Sequence, residues 1–243
     1  MSVDYIGTVK GNWDVSLPLS KEKSEAMTKT FHPEFKLVFK DKEYMVEKLV
    51  LGPVITQLVL KGDFSFPEDD IHAVIEDDIG TLLGWQGGGG GPKGIKTNFS
   101  PLSELNPRPK YFTLIMREAI QMTDELDGIQ DRKPFSSTYP LVLKGDQGGT
   151  MTVTNVEFQE KQTVVYYKAS QSSSQRTFFM FENNKGERIA TNQNPVRISK
   201  DSLSFKLVFP EMNERDIAGI VTQPFSYPKD QEMLRVQIPL NWE

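Results

Sequence analysis

The chain has no cysteine and only two histidines, His32 and His72, in 243 residues. The first absence excludes disulfides, thiolate metal sites and cysteine nucleophiles. The second leaves too little imidazole for a histidine-rich zinc site or a histidine-based triad. Neither histidine has a second histidine or cysteine at ligand spacing, so a structural role is expected for both. Basic charge is also short: 28 Lys and Arg stand against 33 Asp and Glu, a formal net charge of −5. A surface that tracks nucleic acid phosphates needs the opposite balance, and nothing here forms a polybasic membrane anchor. Nucleic acid is therefore not an expected partner. No stretch reaches the ~18 uninterrupted apolar residues of a bilayer span, and the N-terminus MSVDYIGTVKGNWD lacks a signal peptide's apolar centre.

What remains is a folding composition, 37% hydrophobic and 25% charged, arranged mostly with a period of two. WDVSLPL (Trp13–Leu19), FKLVF (Phe35–Phe39), YFTLIM (Tyr111–Met116), LSFKLVF (Leu203–Phe209) and LRVQIPL (Leu234–Leu240) alternate apolar and polar residues. They have strand length and are rich in β-branched and aromatic side chains. Helical spacing is confined to MREAIQMTDEL (Met116–Leu126) and NERDIAG (Asn213–Gly219), one or two turns each. The expected class is all-β.

The chain also echoes itself. EKLVLGPVITQLVLK (Glu47–Lys61) aligns with TNVEFQEKQTVVYYK (Thr154–Lys168), placing Thr56 on Thr163 and Lys61 on Lys168. VIEDDIGTLL (Val74–Leu83) aligns with MFENNKGERI (Met180–Ile189), with Gly80 on Gly186. Asp or Asn followed by Gly between two strands predicts a hairpin turn used twice, because these residues tolerate left-handed backbone angles. Tyr111–Met116 is then set against Leu203–Phe209, and DELDGI (Asp124–Ile129) against RDIAGI (Arg215–Ile220). The expected organisation is two tandem immunoglobulin-like β-sandwich domains of about 100 residues each. Residues 1–29 would be an N-terminal strand and polar connector, 30–133 the first domain and 134–243 the second. WDVSLPL resembles LRVQIPL, so the N-terminal strand reads as the last strand of a preceding domain.

The run GWQGGGGGPKGIK (Gly84–Lys96) could be a phosphate-cradling loop, an interdomain linker or an idle loop. Gly89 to Gly94 fits G-x-G-x-x-G, a match nearly automatic in polyglycine. A dinucleotide fingerprint must open a helix, and the prolines at 101, 107 and 109 forbid one. A Walker loop needs Gly-Lys-Ser/Thr, whereas Lys93 precedes Gly94. Because the second copy is shorter between hairpin and next strand, the glycines are placed in an insertion from about Gly84 to Lys110, as an elaborated loop. It is either idle or a partner-contact loop, in which case Trp85, Lys93, Lys96 and Phe99 make the contact.

Other constellations reduce to ordinary roles. Glu68-Asp69-Asp70 and Glu76-Asp77-Asp78 flank a strand and stand roughly 20 Å apart, too far to share one calcium ion. Asp77 and Asp78 already serve the turn. TDELDGIQDRKP (Thr123–Pro134) has proline where an EF-hand loop needs its bidentate glutamate. The serines of SQSSSQ lie in no nucleophile elbow. No metal and no cofactor is expected, and the chain reads as a non-enzyme. A carboxylate pair in an interdomain cleft is the one enzymatic arrangement that spacing leaves open.

The combined pattern W-x-V-x-x-P-L, F-x-L-x-F and V-x-K-L-V-L-G-P-x-x-T-x-L-V-L-K, closest over Trp13–Gly62, resembles a known family. It is the extracytoplasmic, immunoglobulin-like repeat region of membrane-anchored anti-sigma-factor-like proteins of Gram-positive bacteria. The resemblance implies a sensing or structural module outside the membrane, anchored by a transmembrane helix upstream of this chain. Its partner would be a protein or a cell-wall ligand, and it implies no catalytic residues. The alternative is a secreted or surface adhesion module that binds wall glycan or a protein. The glycine-rich insertion is not part of the family pattern.

Overall fold

A computed structural model describes residues 2–6, 9–14, 25–64, 71–118, 131–223 and 233–243. Within them the chain is all-β, built of antiparallel sheets, as the two-residue alternation implies. β1 (Ser2–Ile6) and β2 (Val9–Asp14) form a separate hairpin that takes in Trp13; residues 15–19 of the expected N-terminal strand lie outside the described residues.

The first half contributes β3 (Lys29–Phe31), β4 (Phe35–Phe39), β5 (Lys42–Leu51), β6 (Thr56–Gly62), β7 (Ile71–Asp77), β8 (Trp85–Gly91), β9 (Gly94–Phe99) and β10 (Tyr111–Glu118). The second contributes β11 (Asp131–Pro134), β12 (Leu141–Lys144), β13 (Thr150–Gln159), β14 (Gln162–Ala169), β15 (Phe178–Asn183), β16 (Arg188–Ile189), β17 (Val196–Arg197), β18 (Ser204–Pro210) and β19 (Ile217–Gln223). A last strand, β20 (Met233–Pro239), closes the chain.

Each half pairs its strands to one plan. One sheet runs β3-β5-β6-β9-β8, with β4 also on β5; its counterpart runs β12-β13-β14-β18-β17. The opposing sheets run β20-β10-β7 and β11-β19-β15-β16. In each half the two sheets share a core. Val46, Leu49 and Leu60 meet Ile75, Phe112 and Leu114 in the first; Val153 and Val165 meet Phe181 and Ile220 in the second.

The repeat extends to local irregularities. Glu47 is an extra residue in β5 opposite β6, and Thr154 is an extra residue in β13 opposite β14. These bulges fall on aligned positions and bend both sheets alike. The turns match as well. Asp77 Oδ1 accepts from the amides of Ile79 and Thr81, and Asn183 Oδ1 accepts from those of Lys185 and Glu187. Gly80 and Gly186 supply the left-handed step, with φ of 84° and 79°.

The structure corrects several expectations. β9, not Tyr111–Met116, is the counterpart of β18, since both add to the threonine-bearing strand (β6 or β14). β10 then matches β19. Asp124–Ile129 lies outside the described residues, and so do Glu68-Asp69-Asp70 and most of Thr123–Pro134. Of the short helices, Met116 to Glu118 continue β10, and Glu214–Asp216 form one 3-10 turn whose Asn213 side chain accepts from the Arg215 amide. Lys29, expected in the connector, belongs to β3 with Thr30 and Phe31.

A further correction concerns the C-terminus. β20 pairs with β10 from Tyr111↔Pro239 to Arg117↔Met233, so Leu234–Leu240 belongs to the first core and not to a second domain of residues 134–243. Trp242 sets its ring edge on Phe31 at 5.1 Å and donates to Pro109 O at 2.7 Å. Burying Ile238 and Leu240 stabilises this return by about 1.5–3 kcal/mol each. That is large against loop closure, where doubling a loop adds only ~0.6 kcal/mol. β11 occupies the same place in the second half that β20 takes in the first.

Candidate functional site

The glycine run is a strand. Gly87 to Gly91 pair residue by residue with Asn98 to Gly94, and the turn is tied down by the Gly62 amide on Lys93 O and the Phe64 amide on Pro92 O. This overturns the loop expectation. Glycine is a poor strand former, but β9 is anchored on both sides, by β6 and by the core residues Ile95 and Phe99. β8 needs only to follow it. Gly87, with φ of 121°, makes the kink after Trp85, and a Cβ on Gly88 would stand 2.5 Å from Lys96 O. Those two positions require glycine.

This hairpin splits the four expected contact residues. Trp85 and Phe99 are cross-strand partners at its base. Lys93 sits in the turn at the other end, roughly 20 Å away along the strand, and Lys96 stands opposite Gly89. Phe99 is 1% exposed, a core residue rather than a surface contact, whereas Trp85 is 62% exposed.

Trp85 and Phe99 line a cleft of about 410 Å³ between the two halves. Its first wall adds His72 and the segment Leu82 to Gly84; its second carries Gln175, Thr177, Phe178 and the polar run Asn192 to Asn194. Phe179, Phe205 and Leu207 reach it from the second core. Phe178, half exposed at 50%, stands with Trp85 as a second large exposed aromatic. One residue in four of the chain is charged, yet the residues lining this cleft include no Asp, Glu, Lys or Arg. Its polar groups are the amides of Gln175, Asn192, Gln193 and Asn194, the hydroxyls of Thr177 and Thr191, and the imidazole of His72. The volume falls in the range of small-molecule sites, which favour the seams between packed units. A wider depression of about 860 Å³, near Lys161, Asn192 and Pro210, lies wholly on the second half and offers no exposed aromatic.

The seam is held by hydrogen bonds onto the turn after β7. Gln175 Nε2 donates to Gly80 O at 2.8 Å, and its Oε1 accepts from the Leu82 amide at 3.1 Å. Ser172 Oγ also donates to Gly80 O. Arg197 Nη1 donates to Ile79 O at 2.7 Å and to Thr81 Oγ1 at 2.8 Å, while its Nε bonds Ser199 O. Burial lowers the Arg197 pKa, and Asp77 and Glu76 oppose that shift. Arg117, 4% exposed, is pulled down to about 10 by burial; Asp146 across the seam acts to raise it and Arg235 to lower it. Charge is thus present at the junction but kept out of the cleft.

The cleft was not legible in the sequence. Trp85 was singled out for its place beside the glycines, and the second wall, from the other half of the chain, was missed. The one local signal is the polar stretch TNQNP (Thr191–Pro195), which lies in the shorter interval that follows the second hairpin. Among the described residues no group of three His, Asp or Glu side chains is placed to hold a metal ion.

No family model matches the chain, and no curated protein matches it. It is similar to a solved structure described as the crystal structure of the conserved domain protein from Bacillus anthracis, at 8% identity. The match covers 91% of this chain and 94% of that one with a TM-score of 0.27, a level at which the likeness supports no argument about fold or function.

Proposed function

We propose that this chain is a non-enzymatic sensing module of a membrane-anchored, anti-sigma-factor-like regulator, working outside the membrane as two tandem immunoglobulin-like sandwiches. The cleft between its halves takes the signal, an uncharged ligand. The observation that carries this reading is the cleft itself: concave, free of charged side chains, and bordered by the exposed rings of Trp85 and Phe178. Aromatic faces accept the apolar face of a sugar ring, and amides match its hydroxyl and acetamido groups in both directions. A neutral wall saccharide fits these groups, whereas an anionic or cationic ligand would find no counter-charge.

A second reading, a surface module that simply adheres to wall glycan, uses the same two rings. Gln175 favours sensing over adhesion. Its side chain lines the cleft and also holds the turn at Gly80 and Leu82, so a ligand that draws on it acts on the seam between the halves. The test is an NMR titration of the isotope-labelled chain with a neutral oligomer of N-acetylglucosamine. The Trp85 indole N–H and the side-chain amides of Gln175 and Asn194 are expected to shift together. The absence of those shifts, or shifts gathered elsewhere, rejects the cleft as the site.

A further inference from the structure

β8 raises a question that the cleft does not answer. Among the described residues its inner edge pairs with β9 and its outer edge pairs with nothing, leaving a row of backbone donors and acceptors open along seven residues. Its counterpart β17 has two residues, one of which, Arg197, is buried in the seam. Proteins normally blunt such edges with lysine, proline, bulges or short length. Here the edge is long, and its middle carries no side chains at all.

Intrachain packing does not account for the whole run. Gly87 and Gly88 are needed for conformation and close approach, but a Cβ on Gly89 or Gly91 would meet nothing within 4 Å. Each glycine in a strand is destabilising by roughly 0.5–1 kcal/mol relative to alanine. The bare backbone has an effect on reach. A strand added outside β8 would lie two spacings, about 9.6 Å, from β9. With Gly89 between them, the Lys96 side chain can extend over β8 toward that added strand. Lys96 and Lys93 are exposed, and neither forms an ion pair among the described residues. They form a basic border along this edge in a chain of net charge −5.

We infer that the outer edge of β8 takes an extended, acidic segment of a partner protein as an added antiparallel strand. Its main chain bonds the open glycine backbone and its carboxylates meet Lys96 and Lys93 across the side-chain-free surface. Main-chain pairing supplies the affinity of this recognition mode and the flanking side chains its selectivity. The inference is independent of the cleft, since these lysines lie outside it.

The test uses the whole chain and two capped hexapeptides of alternating valine with glutamate or with lysine, followed by amide NMR and hydrogen exchange. The glutamate peptide is expected to shift and protect the amides of Gly87 to Gly91, with the lysine peptide about tenfold weaker. The double variant Lys93→Glu, Lys96→Glu should reverse that order while leaving the fold unchanged, because both side chains are solvent-exposed. Three results would overturn the inference: unmoved glycine amides with both peptides at millimolar concentration; equal response to both peptides; or the same shifts on concentrating the chain alone, which would make a second copy the occupant.

Discussion

Thr56 and Thr163 are aligned in the repeat and identical in environment. Both are fully buried, both sit on a strand between two others, and neither hydroxyl makes a hydrogen bond among the described residues. Each is flanked by a buried phenylalanine on the next strand, Phe99 for Thr56 and Phe209 for Thr163. A buried hydroxyl without a partner is unfavourable by about 1–3 kcal/mol, so removing it while keeping the shape should help. Thr56→Val and Thr163→Val are each expected to raise stability by about 1 kcal/mol in denaturant unfolding. A loss of similar size in both would mean that the hydroxyls bond something. Residue identity announced this pair, along with the Asp77 and Asn183 turns, because a buried threonine and a left-handed glycine are local requirements. Phe99 was misjudged for the opposite reason. Its neighbour in sequence is a polar loop, and its burial comes from strands far along the chain.

At the scale of the element, strand existence was legible and strand pairing was not. Alternation with period two places one face inward for any partner, so YFTLIM and LSFKLVF offer the same faces to several alignments, while GIKTNF, placed in the insertion, does not read as a strand at all. Only the register of β9 on β6 and of β18 on β14 decides between them. The glycine strand was illegible because its propensity points away from any strand; a firmly anchored neighbour overrides it. A glycine scan reads this directly. Gly89→Ala and Gly91→Ala, with open space at the new Cβ, are expected to stabilise the chain by about 0.5–1 kcal/mol in thermal unfolding. Gly87→Ala and Gly88→Ala are expected to destabilise by more than that, the first through its positive φ and the second through contact with Lys96 O. A uniform response along the run would indicate a loop without fixed register.

At the scale of the whole molecule, the chain leaves its first core after β10, builds the second core, and returns to pair β20 with β10. The resemblance of LRVQIPL to the other closing strands revealed its type but not which core it would close. The cleft depends on the same long-range arrangement, since Trp85 and Phe178, 93 positions apart, line one cleft between halves that Gln175 and Arg197 tie together through the turn after β7. The central claim, an uncharged ligand held by those two rings, is tested most directly by cosedimentation with isolated Gram-positive cell walls. The intact chain is expected to pellet with the walls over a wide range of salt, because no ion pair is involved. The double variant Trp85→Ala, Phe178→Ala should retain the melting behaviour of the intact chain and lose about tenfold or more of its wall binding. Wall binding that survives in the variant, or that salt abolishes in the intact chain, would contradict the account.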